Sequence, residues 1–207
     1  MSKESKRQKG DKGGRCTSTT SSSKTALEPL NKLNKSSSEE AFNAFMQCNT
    51  SEKWCEKMVA DRPYSDYQSV INHADKNWSK SKEKDLLQAF EGHPEIGDVS
   101  TLREKYRNTE KLAGHEQSGV NTATENTLQS LSQGNKDYKE KFGFIFIVCA
   151  SGKSADEMLA LLLERLPNSR DVELVNAGEE QRKITHLRLD KLLGFSPPAK
   201  KTRRKTK

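Results

Sequence analysis

The chain has 207 residues, of which 31% are hydrophobic and 31% charged. That is room for one domain with tails, but too few apolar residues for the whole length to pack, and no apolar run approaches the roughly 20 residues that cross a bilayer. The net charge of +7 sits at the ends: residues 1–25 hold seven Lys/Arg against two acids, and "KKTRRKTK" (200–207) holds six with none, which leaves −4 for residues 26–199. A mildly acidic centre is a poor surface for phosphate backbones.

The opening "MSKESKRQKGDKGGRCTSTTSSSKT" is polar, basic and Ser-rich, with no apolar stretch of a secretory signal, and reads as a disordered tail over 1–25. A single folded domain is expected over 26–195, with a second basic tail over 196–207. Helix patterns dominate that domain. "SSSEEAFNAFMQC" places acids behind serines and then Ala41, Phe42, Phe45 and Met46 at helical spacing. "SEKWCEKMVADRP" has Ser51 as cap, a stripe of Trp54, Cys55, Met58 and Val59, and Pro63 past its end. "YSDYQSVINHADKNWSK" offers Tyr67, Val70, Ile71, Ala74 and Trp78, and "SKEKDLLQAFEG" stops at Gly92. The stretch 109–142 is long, polar and broken in places. "SADEMLALLLERL" carries a Ser cap with Glu157 at the third helical position. The last helix pattern, 169–194, has an expected apolar face of Val172, Leu174, Val175, Ile184, Leu187, Leu189, Leu192 and Leu193, closing at Gly194.

"FGFIFIVCA" (142–150) conflicts with this pattern, since its aromatic and β-branched content suits a strand. No second strand pattern exists to pair with it, and a lone strand cannot satisfy its main-chain groups. The expected fold is therefore an all-α bundle with one irregular, buried segment whose free N–H and C=O groups a ligand could take up.

Three places gather reactive side chains. Pro94 confines the backbone of His93 to extended conformations, so His93 is either a loop residue after a helix stop or a ring presented from a stiff turn. "AGHEQSG" (113–119) sets His115, Glu116, Gln117 and Ser118 in a row: a solvated helix face, or a carboxylate and amide able to orient a histidine and fix a polar ligand. Arg188 stands inside the apolar stripe of the last helix and needs a partner, a structural ion pair or a ligand, unless its stem reaches solvent. His186 is expected on the solvent side, and His73 has no partner visible in sequence. The four cysteines, Cys16, Cys48, Cys55 and Cys149, show no metal spacing, and no Gly-rich phosphate loop or nucleophile elbow occurs. Reduced cysteines suit an intracellular location.

In order, "HPEIGD", "EQS", "YKEKFGFIFIVCASGKSADEML" and "VELVNAGEEQRKITHLRLDKLL" resemble the 2-oxo-4-hydroxy-4-carboxy-5-ureidoimidazoline (OHCU) decarboxylases of urate breakdown, closest to the plant-type branch. The likeness covers about residues 30–193 and is strongest after 138. It implies an all-α bundle, often a homodimer, that removes CO₂ from OHCU and leaves (S)-allantoin with no metal and no organic cofactor. It implies His93 and Glu116 as the catalytic pair, Gln117 and Arg188 as substrate holders, and main-chain groups of Phe144, Ile145, Phe146, Ile147 and Val148 as pocket lining. Relatives often carry a serine three residues before the glutamate, where this chain has Ala113; Ser118 or His115 could replace it. In the plant-type branch the domain can be fused to a transthyretin-like hydrolase, so a functional link to a hydroxyisourate hydrolase is expected, though no such domain follows here.

Two other functions fit the same sequence. A non-catalytic homologue would keep the pocket without turnover, and a basic-tailed interaction protein would use "PPAKKTRRKTK" for nuclear import or nucleic acid. The Lys-Thr-Lys ending is not a peroxisomal signal, so a cytoplasmic location is expected.

Overall fold

The computed structural model describes residues 21–94, 99–100, 102–103 and 120–195, with side chains from residue 28 and, past the third break, from residue 125. The described residues form eight α-helices and no strand: α1 (Ser21–Lys35), α2 (Ser38–Met46), α3 (Glu52–Ala60), α4 (Tyr67–Trp78), α5 (Glu83–Glu91), α6 (Val120–Phe142), α7 (Ala155–Arg165) and α8 (Arg170–Leu192). The all-α expectation holds. Helix α1 begins at Ser21, inside the stretch that composition assigned to the tail.

The expected start signals are in place. Ser37 caps α2 in a reciprocal box with Glu40, and Ser154 caps α7 in the same way with Glu157. Ser51 and Ser169 accept from the third backbone N–H of α3 and α8. These serines satisfy donors that a helix leaves open, and so fix where each helix begins.

The core has three parts. Phe45, Trp54, Cys55, Met58, Val70 and Ala74 close the α1–α4 half around the end of α8. Leu128, Leu131, Met158 and Leu162 join α6 to α7. Phe90, Tyr138, Phe142, Phe144, Ile147 and Ala177 form a mainly aromatic junction between them.

Helix α8 runs past all three, and here the sequence reading needs correction. Val172 (48% exposed), Val175 (72%) and Leu187 (38%) of the expected apolar face point outward. The buried face is Glu173, Ala177, Gln181, Thr185 and Leu189, one residue every four. Counting apolar side chains missed it because small and polar residues, satisfied by hydrogen bonds, face the junction. Trp78 Nε1, for example, donates to the Gly178 carbonyl at 2.9 Å.

Candidate active site

Helix α5 ends at Gly92, and its last carbonyls are met from outside: the Thr50 hydroxyl shares its one proton between the carbonyls of Gln88 (3.0 Å) and Ala89 (3.2 Å). The tight approach of Thr50 explains the glycine. A Cβ on Gly92 would stand 2.1 Å from Thr50 Oγ1. The next residue, His93, is held through its N–H to the Phe90 carbonyl at 3.1 Å. Its ring Nε2 lies 2.6 Å from Oε1 of Gln181, a side chain with 0% exposure. Burial pushes the His93 pKa below its ordinary value; the Gln181 hydrogen bond works the other way, and the Arg188 charge adds to the lowering.

The second wall is the segment after α6. Of the stretch 142–150 expected to be irregular, Phe142 closes α6 and residues 143–150 take neither helix nor strand, with Gly143 making the bend at φ +79°. Side chains supply the main-chain partners that a neighbouring strand would give. Arg165 Nη1 donates to the Ile147 carbonyl at 2.9 Å, and the Cys149 N–H donates to Glu180 Oε2 at 2.7 Å. Lys153 Nζ holds the Cys149 carbonyl at 2.7 Å. Among the described residues, the N–H groups of Phe144 to Val148 donate to no protein group.

Arg165 is itself set by a buried network. Its Nε donates to Glu173 Oε2 at 2.8 Å, the Tyr138 hydroxyl donates to the same oxygen, and Asn168 and Asn176 donate to the other at 2.7 and 2.8 Å. Burial alone would raise the Glu173 pKa, but these donors outweigh it and hold the carboxyl below its ordinary value. The arginine also lies over the rings of Phe146 (4.8 Å) and Tyr138 (5.8 Å).

Between the two walls lies a cavity of about 360 Å³, lined by His93 and Pro94, by Ile145 to Ser151, and by Ile184, Leu187, Arg188 and Lys191 of α8, with α6 and α7 behind it. The volume falls in the range of roughly 300–1,000 Å³ usual for small-molecule sites. Arg188 Nη1 donates to the Cys48 carbonyl at 3.3 Å, and among the described residues it pairs with no carboxylate. Among the described residues it forms no structural ion pair, it is only partly buried, and its guanidinium has donors that those residues leave for an anionic ligand. No group of three or more His, Cys, Asp or Glu side chains among the described residues is arranged to hold a metal ion.

The structure thus brings His93, Ile145, Phe146, Ile147, Val148 and Arg188 to one cavity. Phe144, expected beside them, instead fills the aromatic junction against Phe90 and Tyr138. Glu116 and Gln117, with Ala113, His115 and Ser118, lie outside the described residues. His186 is half-buried rather than on the solvent side, its Nε2 2.6 Å from Asp75 Oδ1, and His73 Nδ1 lies 2.8 Å from the Ser69 carbonyl. Sequence reasoning missed Gln181, Glu173 and Arg165. The signal available was position: Glu173, Gln181 and Thr185 repeat at multiples of four along α8, the spacing of one helix face.

Among the described residues, a helical bundle thus presents to one small cavity a histidine, an arginine and main-chain N–H groups without a protein acceptor, groups able to move a proton and to hold an anion. The sequence profile of OHCU decarboxylases matches residues 34–190, and the chain belongs to that family. It is 36% identical over 153 residues to the uric acid degradation bifunctional protein TTL of Arabidopsis thaliana, covering 74% of this chain and 47% of the relative. It is 26% identical to the 2-oxo-4-hydroxy-4-carboxy-5-ureidoimidazoline decarboxylase of Haloferax volcanii, over 71% of this chain and 85% of that one. A crystal structure of OHCU decarboxylase in the presence of (S)-allantoin superposes with a TM-score of 0.59 at 34% identity, covering 77% of this chain and 99% of the other. The chain spans 47% of the Arabidopsis protein and 26% of a bifunctional uric acid degradation protein of Bacillus, about half or less of either.

Proposed function

We propose that this protein decarboxylates OHCU to (S)-allantoin. The observation that carries the reading is the meeting of His93 and Arg188, 95 positions apart in the chain, with the 145–148 segment around one small cavity. In this reaction the bond from the ring carbon to the carboxylate breaks, CO₂ leaves, and the electron pair passes onto the neighbouring ring C=N, whose nitrogen takes up a proton. The hydroxyl proton is then released, and a proton is added to the carbon that bears the ureido group, which sets its handedness.

Arg188 holds substrate oxygens by charge-assisted hydrogen bonds, each worth about 1.5–3 kcal/mol. The main-chain donors of 145–148 fix the ring so that the carboxylate stands out of its plane. His93, whose neutral form burial favours, moves the proton, a role worth about 10²–10⁴-fold. Glu116 is assigned as its partner and Gln117 as a substrate holder, both on the family resemblance. A hydroxyisourate hydrolase acting beside this protein fits an unstable substrate, and a homodimer, checked by sedimentation, is part of the proposal.

The test generates OHCU from urate with urate oxidase and hydroxyisourate hydrolase and follows the circular dichroism of (S)-allantoin. A rise faster than the uncatalysed, racemic background is expected with the wild-type protein, and only background with His93→Asn. Background with both would overturn the assignment.

A further inference from the structure

We infer that Gln181 is a positioning residue that fixes the tautomer of His93, with the proton on Nε2, and that this polarity is set through Thr185 and Asn49 by a main-chain N–H at Ser51. The contacts can be followed from the end where no choice exists. The Ser51 backbone N–H can only donate, and it meets the Asn49 side-chain carbonyl at 3.0 Å. The other end of that amide is therefore NH₂, and it donates to Thr185 Oγ1 at 3.2 Å. A hydroxyl has one proton and two acceptor sites. The Thr185 proton goes to the Gln181 main-chain carbonyl at 2.9 Å, so Oγ1 can only accept from the Gln181 amide, which it meets at 3.4 Å. This fills the hydroxyl: one bond donated, two accepted.

The Gln181 NH₂ therefore faces Thr185, and its Oε1 faces His93. An amide carbonyl cannot donate, so the ring nitrogen 2.6 Å away must carry a hydrogen. The opposite amide orientation would set Gln181 Oε1 against a Thr185 oxygen that has no proton left to give. Asn49, Ser51 and Gln181 are each 0% exposed and Thr185 is 3% exposed, so water does not stand ready to relax this order.

Nδ1 is then the nitrogen with a lone pair, and the ring exchanges protons through it. When His93 is protonated the bond to Gln181 persists and stabilises the cation, opposing the burial of the ring. Among the described residues, the charged groups that line the same cavity are Arg188 and Lys191. The consequence for turnover rests on the decarboxylase reading; the tautomer does not.

The experiment records ¹⁵N correlations of the imidazoles in histidine-labelled, ligand-free protein. The chain has four histidines, His73, His93, His115 and His186, and the His93→Asn spectrum assigns the one of interest. Wild-type His93 is expected to be protonated on Nε2 and bare on Nδ1 across its neutral range. Gln181→Leu should give a mixture of tautomers and a His93 titration about one to two pH units lower. Gln181→Glu should move the titration up, because a carboxylate favours the cation.

The acid limb of kcat/KM should follow the same two shifts in opposite directions, which a loss of folded protein would not produce. A wild-type His93 protonated on Nδ1, or titrations that ignore both substitutions, would overturn the inference. An Nε2-protonated ring in a protein that makes no allantoin would leave the inference standing and remove the proposed reaction instead.

Discussion

Gly92→Ala is the substitution for which backbone conformation and packing predict opposite signs. Gly92 has φ −71° and ψ 0°, a backbone that any residue adopts. On that ground alanine should stabilise the protein by about 0.4–1 kcal/mol through the unfolded chain. The packing reverses this. The added methyl would lie 2.1 Å from Thr50 Oγ1, 2.5 Å from its Cγ2 and 2.8 Å from its Cβ, where contact distances of about 3.5–4.0 Å are normal. Rotating the threonine can relieve the first two contacts but not the third, because Cβ is fixed to the main chain. The Thr50 backbone or the turn before His93 must therefore move.

Such overpacking costs about 1–3 kcal/mol, so a net destabilisation of about 1–2 kcal/mol is expected in urea unfolding. A displacement of order 1 Å at His93 should lower kcat/KM by about 10²-fold in the allantoin assay. Thr50→Ala in the same chain removes the two shorter contacts, and the double variant should recover part of both losses, a coupling of about 1 kcal/mol. Gly92→Ala protein as stable as wild type, with turnover within about twofold, would refute the reasoning.

Arg188→Lys keeps the charge and loses the planar fork, so kcat/KM should fall about 10- to 100-fold while the urea midpoint stays put; unchanged kinetics would remove Arg188 from the substrate. Acid should weaken the fold through Glu173, whose carboxyl is held below its unfolded value near 4.5. Its contribution is complete above that value and disappears as pH falls through the lower, folded one, so Glu173→Gln should flatten the acid limb of stability. His93 adds a loss of the same sign at higher pH: burial holds its pKa below 6.5, so the unfolded chain takes up the proton first as pH falls through that value.

The helices were legible because their signals are local. Ser154 with Glu157, Ser51 before Trp54, and the serines followed by acids ahead of α2 are read within one turn; the first two caps form as read, and in the third Ser37 proves to be the cap. The irregular 143–150 segment was legible by elimination, as an apolar run without a partner strand. The inner face of α8 was not legible. Burying Glu173, Gln181 and Thr185 depends on donors and acceptors from Asn49, Tyr138 and Arg165, up to 136 residues away. Composition assigns such side chains to the surface, and only the distant partners reverse it. For the same reason the ring contact of His93 was unreadable: no local pattern ties position 93 to position 181. Arg188, by contrast, was conspicuous in sequence because a charge interrupted an apolar run, even though part of that run proved to be exposed.

Helix α8 holds both walls of the cavity through buried polar contacts: Gln181 sets His93, and Glu173, two turns earlier, sets Arg165 and through it the Ile147 carbonyl. The second contact allows stability and function to be separated. Buried ion pairs exchanged for apolar residues of similar volume often leave stability unchanged or higher, whereas removing one partner costs about 3–5 kcal/mol. The triple variant Arg165→Met, Glu173→Leu, Tyr138→Phe removes the charge pair together with the hydroxyl that would otherwise be stranded; Asn168 and Asn176, partly exposed, can turn to water. Its unfolding free energy should stay within about 2 kcal/mol of wild type. The Ile147 carbonyl, however, loses its donor, and the 145–148 segment loses the arginine that lies over Phe146. Turnover should therefore fall by at least about tenfold in a well-folded protein, with faster amide exchange in the 144–150 segment than elsewhere. Full turnover in the triple variant would mean that packing of Phe144 and Ile147 into the aromatic junction holds the segment without the arginine.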